Sequence, residues 1–561
     1  MSSVRRVNLR DIAQAGSLLE LIKRLIDGVK NGPMEIRERS AMFLRSLTEQ
    51  PAGLDGVETA ENVVLLSREG AIKPLVNLVV IGSPVAQAHS CGALAMIANG
   101  RPEHQQEIVD AGGVVAVSAA VRGGDAGLQE QAAAALASIS QYKACQDSLI
   151  QAGGIVPLTS LLKGASADTQ VNASQALANL AKGNRNGQDT IARAGALPLL
   201  TALLGSGKAQ EAASHALSRL AKDNEENQAE ITRLGGIPKL IAILSVVNTE
   251  AQAQAAAALA SLASGTSRHE QDVIAKAGGI RPLLALVDMN RYPSAQRSAV
   301  NALAMLALRH RENQESIAQM GGLMPLVMLT QYGEGHSADV QAQAVLALTE
   351  ISRHNHENQT AIADAGAVSQ LVALLKYSNS PNVEAEVAGA MWALSEDHPE
   401  NKVSIAGAGA IPPLVTAQLG ASVLEIAHSN AGHAISSLAK DNTGNQTEIT
   451  ALLVELLEHG SPAAQERAAQ SLWRMVRENP GDEYTIAKAG GAEPLVRLLS
   501  SRQANSRAYA LWSLSLSIDA DNQKAVADTG GIKPLVSLLN SKDHLINEQA
   551  ACAIQLLARN K

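Results

Sequence analysis

A chain of 561 residues that is 46% hydrophobic but only 2% aromatic, with a single phenylalanine at Phe43, must fill its interior with alanine, leucine, isoleucine and valine. Its net charge of −8 sets it against a general nucleic-acid or anionic-membrane binder, because both need a basic field. Cys91, Cys145 and Cys552 are scattered and odd in number, which excludes a disulfide framework and reads as buried free thiols of a reducing compartment.

Residues 1–10 carry three arginines, with no apolar run behind them long enough for a secretory signal. Apolar runs elsewhere are short and interrupted, so no transmembrane span is expected. Neither terminus has a lipidation motif, so no direct membrane anchor is expected. The expected location is cytoplasmic, and also nuclear. Residues 1–48 read as an N-terminal partial or capping repeat. Residues 49–61, with Pro51, Gly53 and Gly56, read as an inserted polar loop.

From there a phrase recurs. It is Glu69-Gly70-Ala71-Ile72-Lys73-Pro74-Leu75, then Ala152-Gly153-Gly154-Ile155-Val156-Pro157-Leu158, then Ala277-Gly278-Gly279-Ile280-Arg281-Pro282-Leu283. Variants start at Gly112, Gly195, Gly235, Gly321, Gly366, Gly409, Gly490 and Gly530. The steps are about 40 to 45 residues, with one double step between Gly409 and Gly490, a period that signals stacked helical units. Such an array buries its core between neighbours and presents a long surface instead of one pocket.

Residues 182–222 show one unit. A polar turn over 184–188 precedes a short helix over 189–193, stopped at Ala194-Gly195 by the left-handed backbone that glycine supplies. Pro198 falls in the first turn of a second, apolar helix over 197–204. After Gly205-Ser206-Gly207, a third helix over 209–221 carries Ala213, Ala216, Leu217 and Leu220 on one stripe. The regular pattern spans 62–440. Over 441–480 the Gly-Gly-Pro phrase is missing near Asn445, so the first two helices of that unit should fuse. Regular units resume over 481–561.

A short, a medium and a long helix, with Gly-x-x-Pro-Leu opening the second, resembles the armadillo repeat. The third helix resembles it too, in Ala176-Leu177-Ala178-Asn179-Leu180. The pivot leucine of that phrase recurs as Leu44, Leu94, Leu136, Leu177, Leu217, Leu259, Leu303, Leu348, Leu394, Ile435, Leu472, Leu514 and Ile554. The resemblance covers nearly the whole chain. It implies an all-α fold, a right-handed superhelical solenoid of about thirteen armadillo repeats.

The resemblance also implies that the third helices line a concave groove in which protein or peptide segments lie extended. Relatives that read nuclear-localisation peptides carry a Trp two residues before the pivot and an Asn two after it. The Asn bonds the guest backbone and the Trp faces sandwich its lysine stems. Here only Trp392, Trp512 and Asn179 match, never as a pair, which sets the chain apart from a nuclear-transport adaptor. A β-catenin-like basic groove is suggested by Arg219 and Arg474 and opposed by Glu350 and Glu396. The groove residues expected to meet a partner are Asn179, His215, Arg219, Asn301, Glu350, Trp392, Glu396, His433, Arg474 and Trp512. The stretch from residue 350 to residue 512 is the richer one. Trp473, one place after its pivot, reads as structural.

The remaining motifs carry no chemistry. His310, His354, His356 and His398 recur in equivalent loops, expected to lie a helix-packing distance apart and so too far to share a zinc ion. The asparagines beside them, Asn313, Asn358 and Asn401, with Asn227, Asn445 and Asn522, read as caps of the short helices. Gly205-Ser206-Gly207-Lys208 lacks the first glycine, the following Ser/Thr and the preceding strand of a phosphate loop. No nucleophile elbow, zincin pair or kinase signature is present. No catalysis, cofactor or metal is expected. The sequence points to a non-catalytic scaffold or adaptor, with cytoskeletal or ciliary assembly one setting by analogy. A nuclear-transport adaptor for basic peptides and a chaperone-like clamp are the alternatives.

Overall fold

Glycine stops and apolar stripes translate directly into helices. The computed structural model describes residues 17–49, 57–288, 292–419, 424–478, 486, 488–516 and 520–558. Among them are 36 helices and no strand. In the unit read above, Asn184 caps the short helix Arg185–Arg193, its Oδ1 accepting from the Gly187 amide at 3.0 Å. The residues expected to form a polar turn are therefore the first turn of that helix. Gly195, at φ 80°, stops it in the left-handed region that a side chain would strain. The second helix, Ala196–Leu203, buries Ala196, Leu197, Leu200 and Leu203, and the third, Gln210–Ala221, buries Ala213, Ala216, Leu217 and Leu220.

The pivot residues are the centre of the core. Every one from Leu44 to Leu514 is buried, while Ile554, on the last helix, is half-buried. Each buried leucine contributes about 1.5–3 kcal/mol of apolar burial, and the alanines around them let the long helices approach closely.

The chain divides into two compact units, Met1–Leu283 and Leu284–Lys561. In the first, the long helices Met34–Thr48, Pro84–Ala98, Ala126–Ile139, Ala167–Ala181, Gln210–Ala221 and Thr249–Ala263 pack each against the next. In the second, Pro293–Ala307, Ala338–Ser352, Pro381–Ser395, Glu425–Ala439, Pro462–Glu478, Ala504–Leu516 and His544–Leu557 do the same. Each is an α-solenoid of armadillo-like units.

The irregular places differ in detail. Thr443–His459 is one continuous helix of 17 residues, burying Ile449, Leu453, Val454 and Leu457, and its one glycine, Gly444, lies in the first turn and does not interrupt it. The polar loop expected over 49–61 ends early, since a helix begins at Val57. Residues 50–56 of that loop and the arginine-bearing residues 1–10 lie outside the described residues. Of the three thiols, Cys91 and Cys145 are buried, but Cys552 is exposed, against the expectation of three buried thiols. Burial pushes Cys91 up to about 12 and, with Asp110, Cys145 up to about 11. No described helix is long and apolar enough to cross a membrane.

Candidate functional site, the face of the long helices

The positions two before and two after each pivot lie one helical turn apart, on one face. Their placement is set by a side chain from the preceding short helix. The amides of Gln105, Gln188, Gln228, Gln314 and Gln359 donate to the backbone carbonyls of Ser138, Arg219, Ser261, Glu350 and Glu396, at 3.0, 2.9, 3.0, 2.8 and 3.3 Å. All five acceptors are the residue two after a pivot. Gln105, Gln228 and Gln314 also bond the carbonyl seven residues back, at Ala98, Ala221 and Ala307, which end the long helices of the preceding repeats. One buried amide thus staples two units together at the surface residue.

The recurrent asparagines of the short helices, Asn227, Asn313, Asn358, Asn401 and Asn445, do not cap, contrary to the sequence reading. The caps are Asn224, His310, Asn355, His398 and Asn442, whose side chains accept from the amides of Asn227, Asn313, Asn358, Asn401 and Asn445. The recurrent asparagine then donates its Nδ2 to the carbonyl seven residues back, at Leu220, Leu306, Ile351, Leu394 and Leu438, over 2.9–3.0 Å. It ties the short helix to the end of the long helix before it. The side chain of Asn522 lies outside the described residues.

In the first unit, three expected residues join one hydrogen-bond chain. Arg219 Nε–H donates to His215 Nε2 at 3.2 Å, so His215 Nδ1–H donates to Gln175 Oε1 at 3.3 Å. Gln175 then donates to Asn179 Oδ1 at 3.3 Å. Asn179 Nδ2 donates to the Ala137 carbonyl at 2.9 Å and to Ser140 Oγ at 3.3 Å. Asn179 is therefore bonded within the protein at both ends of its amide. Burial, then the adjacent Arg219, pushes His215 down to about 4 and keeps the ring neutral. Beside the chain opens a depression of about 380 Å³ between Asp168, Lys208, Glu211, His215 and Glu250. Lys208 pairs with Asp168 at 2.6 Å.

In the second unit, Asn301 is half-buried on Pro293–Ala307. Trp392 and His433 stack at 4.5 Å between centroids and 21° between planes. Arg353, from the preceding repeat, lies over the Trp392 ring at 5.3 Å. The tryptophan is thus flanked from both neighbouring repeats. Glu350 is 6% exposed. Its Oε1 is 3.5 Å from Arg353 Nη2, while its buried Oε2 has no hydrogen-bond partner. Glu396 Oε2 is 3.2 Å from His354 Nδ1 without hydrogen-bond geometry. Burial, then Glu350, pushes the Glu386 carboxyl up to about 7.

Further along, Arg474 folds back on Gly432, where a Cβ would stand 2.9 Å from its Nη1. Trp512 is packed with Trp473 at 5.2 Å and Tyr509 at 5.4 Å, and Arg477 lies over Trp473 at 4.5 Å. Gln470 donates to Tyr509 Oη at 3.1 Å. All three rings are half-buried. Trp473 therefore belongs to the same aromatic group as Trp512, which one-dimensional register missed because the two sit on neighbouring helices. The histidine loops also depart from expectation. The His356 and His398 rings stack at 5.1 Å between centroids and 27° between planes.

The sequence reading placed Gln175 two before its pivot without assigning it to the partner-binding set, and missed Arg353, Tyr509 and the stapling glutamines. For the glutamines a signal existed, since Asn-Gln recurs at 227–228, 313–314, 358–359 and 445–446 with the period of the units.

Comparison with known proteins agrees with this architecture. The Armadillo/beta-catenin-like repeat family matches residues 143–182, 224–264 and 519–559. The crystal structure of an engineered protein, solved by a structural-genomics consortium, is 29% identical with a TM-score of 0.63. It covers 75% of this chain and 100% of its own. A second engineered protein from that consortium is 28% identical with a TM-score of 0.40, covering 43% of this chain and 96% of its own. No curated protein matches the chain.

Proposed function

We propose that this chain, an armadillo-like repeat protein, is a non-catalytic adaptor that holds a segment of another protein along the face of its long helices. Folds of this kind generally bind protein partners and typically do not catalyse. The observation that carries the reading is the row of stapled surface positions. Each glutamine fixes a carbonyl whose side chain is half-exposed, or in Glu350 buried, so the row is preorganised and a guest meets little ordering cost on the protein side. The second unit, with Glu350, Trp392, Glu396, His433, Arg474 and Trp512, supplies the charge and aromatic surface that make contacts energetic. A lysine-reading transport groove is less well supported. Trp392 is flanked by Arg353 and His433, and the Asn179 amide is bonded internally. Free thiols at Cys91, Cys145 and Cys552 support a cytoplasmic or nuclear setting.

The test is affinity capture from the native cell with wild-type protein and with a Trp392→Ala, Glu396→Ala, Trp512→Ala variant. Proteins retained by the first and lost by the second support the reading. An unchanged set of captured proteins would overturn it.

A further inference from the structure

The residue that caps a short helix is asparagine at Asn184, Asn224, Asn355 and Asn442, but histidine at His310 and His398. An asparagine caps through a carbonyl oxygen at any pH, whereas a histidine caps only while the accepting nitrogen carries no proton. The surroundings of His398 fix which nitrogen is bare. Thr360 commits its hydroxyl proton to the His356 carbonyl at 3.0 Å, so its oxygen accepts from His398 Nε2–H at 2.9 Å. Nδ1 is left to accept from the Asn401 amide at 3.3 Å. Glu400 Oε2 stands 3.2 Å from the same Nδ1, an acceptor facing an acceptor while the ring is neutral. Two partners of one nitrogen therefore demand opposite protonation states. The ring is 5% exposed and stacks on His356, so charging both would set like charges in contact. The other charged groups nearby are engaged or distant. Lys440 pairs with Asp397 at 2.9 Å, Lys402 donates to the Lys440 carbonyl, and Asp441 acts on both lysines. Glu396 faces His354, and Lys376 lies beside Gly409, past the far end of the capped helix. Glu384 and Glu386 stand more than two turns back along Pro381–Ser395. Burial, then His356, holds the His398 ring below the usual histidine range, against Glu400.

We propose that the junction between the repeats carrying His356 and His398 is an acid-sensitive joint, in which protonation of His398 exchanges the cap of Pro399–Gly407 for an ion pair with Glu400. The new proton sits on Nδ1 and points at the carboxylate, and the Asn401 amide loses its acceptor. Asn401 is also the residue whose Nδ2 ties this helix to the Leu394 carbonyl at 2.9 Å and to the Gln359 carbonyl at 3.2 Å. Freeing its backbone therefore loosens the link to the preceding repeat, while the leucine and alanine core behind it stays packed. The sign follows from linkage. A base held below its ordinary 6.5 gives stability that is complete above that value and is lost as pH falls through it toward the folded one. Glu386 moves the same unit the other way, so the joint is read by comparing variants that all retain Glu386.

The test is amide hydrogen exchange of the full chain at about pH 7.5 and about pH 5, expressed as protection against the intrinsic rate at each pH. Wild-type amides of Pro399–Gly407 are expected to lose protection about three- to tenfold on acidification, the size of a lost cap. Those of Glu225–Arg233, capped by Asn224, are the reference within the same sample and are expected to hold within about twofold. His398→Asn installs the cap that other repeats use and is expected to abolish the acid loss. His398→Ser repeats the comparison with a smaller cap that does not titrate, so the result does not hang on one variant folding well. Equal protection of Pro399–Gly407 at the two pH values in wild type overturns the proposal. An acid loss as large in both variants as in wild type overturns it too.

Discussion

The side-chain amide of Gln314 donates at 2.8 Å to the backbone carbonyl of Glu350, joining the short helix of a repeat to the end of that repeat's long helix. The same nitrogen reaches the Ala307 carbonyl at 3.2 Å. Both acceptors are C-terminal carbonyls of long helices, which have no intrahelical partner and must be satisfied from outside. Cooperation between repeats therefore passes through polar staples as well as through the leucine core.

Gln314→Ala removes the side-chain donor from both carbonyls in a buried place, although Ala307 keeps the His310 amide at 3.1 Å. The expected cost is about 1–3 kcal/mol, more than the net worth of a single hydrogen bond, because unmade buried bonds are penalised fully. Denaturant unfolding should show a lower midpoint. Amide exchange should accelerate in Arg311–Gln319 and at the end of Ala338–Ser352. Unchanged exchange in both helices would remove the stapling role.

Lys402 stands where other repeats have the glutamine. It is 4% exposed, and its Nζ donates to the Lys440 carbonyl at 2.7 Å. Burial pushes its pKa below the usual lysine range, so the folded state bears the cost of a desolvated cation. Lys402→Gln keeps a donor and removes the charge. It is expected to stabilise by about 0.5–2 kcal/mol near pH 7. With the folded pKa depressed, the unfolded chain holds its proton longer as pH rises. Wild-type stability therefore climbs in the alkaline window up to the unfolded lysine value, and the advantage of the variant shrinks there. A variant no more stable than wild type at pH 7 would count against this account.

The architecture was legible in the chain because its determinants are local and periodic. Gly195 stops a helix wherever that backbone occurs, and Leu217 recurs with its alanines at helical spacing. What was not legible depends on which of two similar residues takes a role. Asn355 and Asn358 are equally good caps by composition, and only the path of the chain through His354 decides for Asn355. Register alone assigns Trp392 to the position two before its pivot on the long helix. That Arg353 covers it depends on a side-chain direction from another helix, which spacing does not encode. Trp473 was discounted for being one residue out of register, although a ring of that size reaches Trp512 regardless.

Glu386 gives the second unit a stability that depends on pH near neutrality. Burial, then Glu350, raises its carboxyl to about 7 against an ordinary 4.5. Below the unfolded value both states are protonated and nothing is lost. Between 4.5 and 7 the folded state keeps a proton that the unfolded chain has released, so stability falls as pH rises. Above that window the penalty is complete. Glu386→Gln is expected to be nearly neutral at pH 4.5 and stabilising by about 1–3 kcal/mol at pH 8. Unfolding midpoints of the two proteins measured at both pH values check this. Equal differences at the two would show that the carboxyl titrates normally.

Between a long helix and the next short one, the backbone passes through the left-handed region. Gly100 and Gly183 do so at φ 69° and 61°, where glycine pays no steric cost, but Arg309 does so at 54°. A Cβ at Gly183 would meet nothing within 4 Å, so only backbone conformation decides between residues there. A left-handed non-glycine residue costs roughly 1–2 kcal/mol, offset in part by the greater freedom glycine has when unfolded. Arg309→Gly is therefore expected to stabilise by about 0.5–1 kcal/mol, and Gly183→Ala to destabilise by about 1 kcal/mol. Thermal unfolding of the two variants beside wild type should place them on opposite sides. If both fall on the destabilised side, the Arg309 side chain contributes more through its contacts than its backbone costs, and the junction tolerates charge for a reason other than geometry.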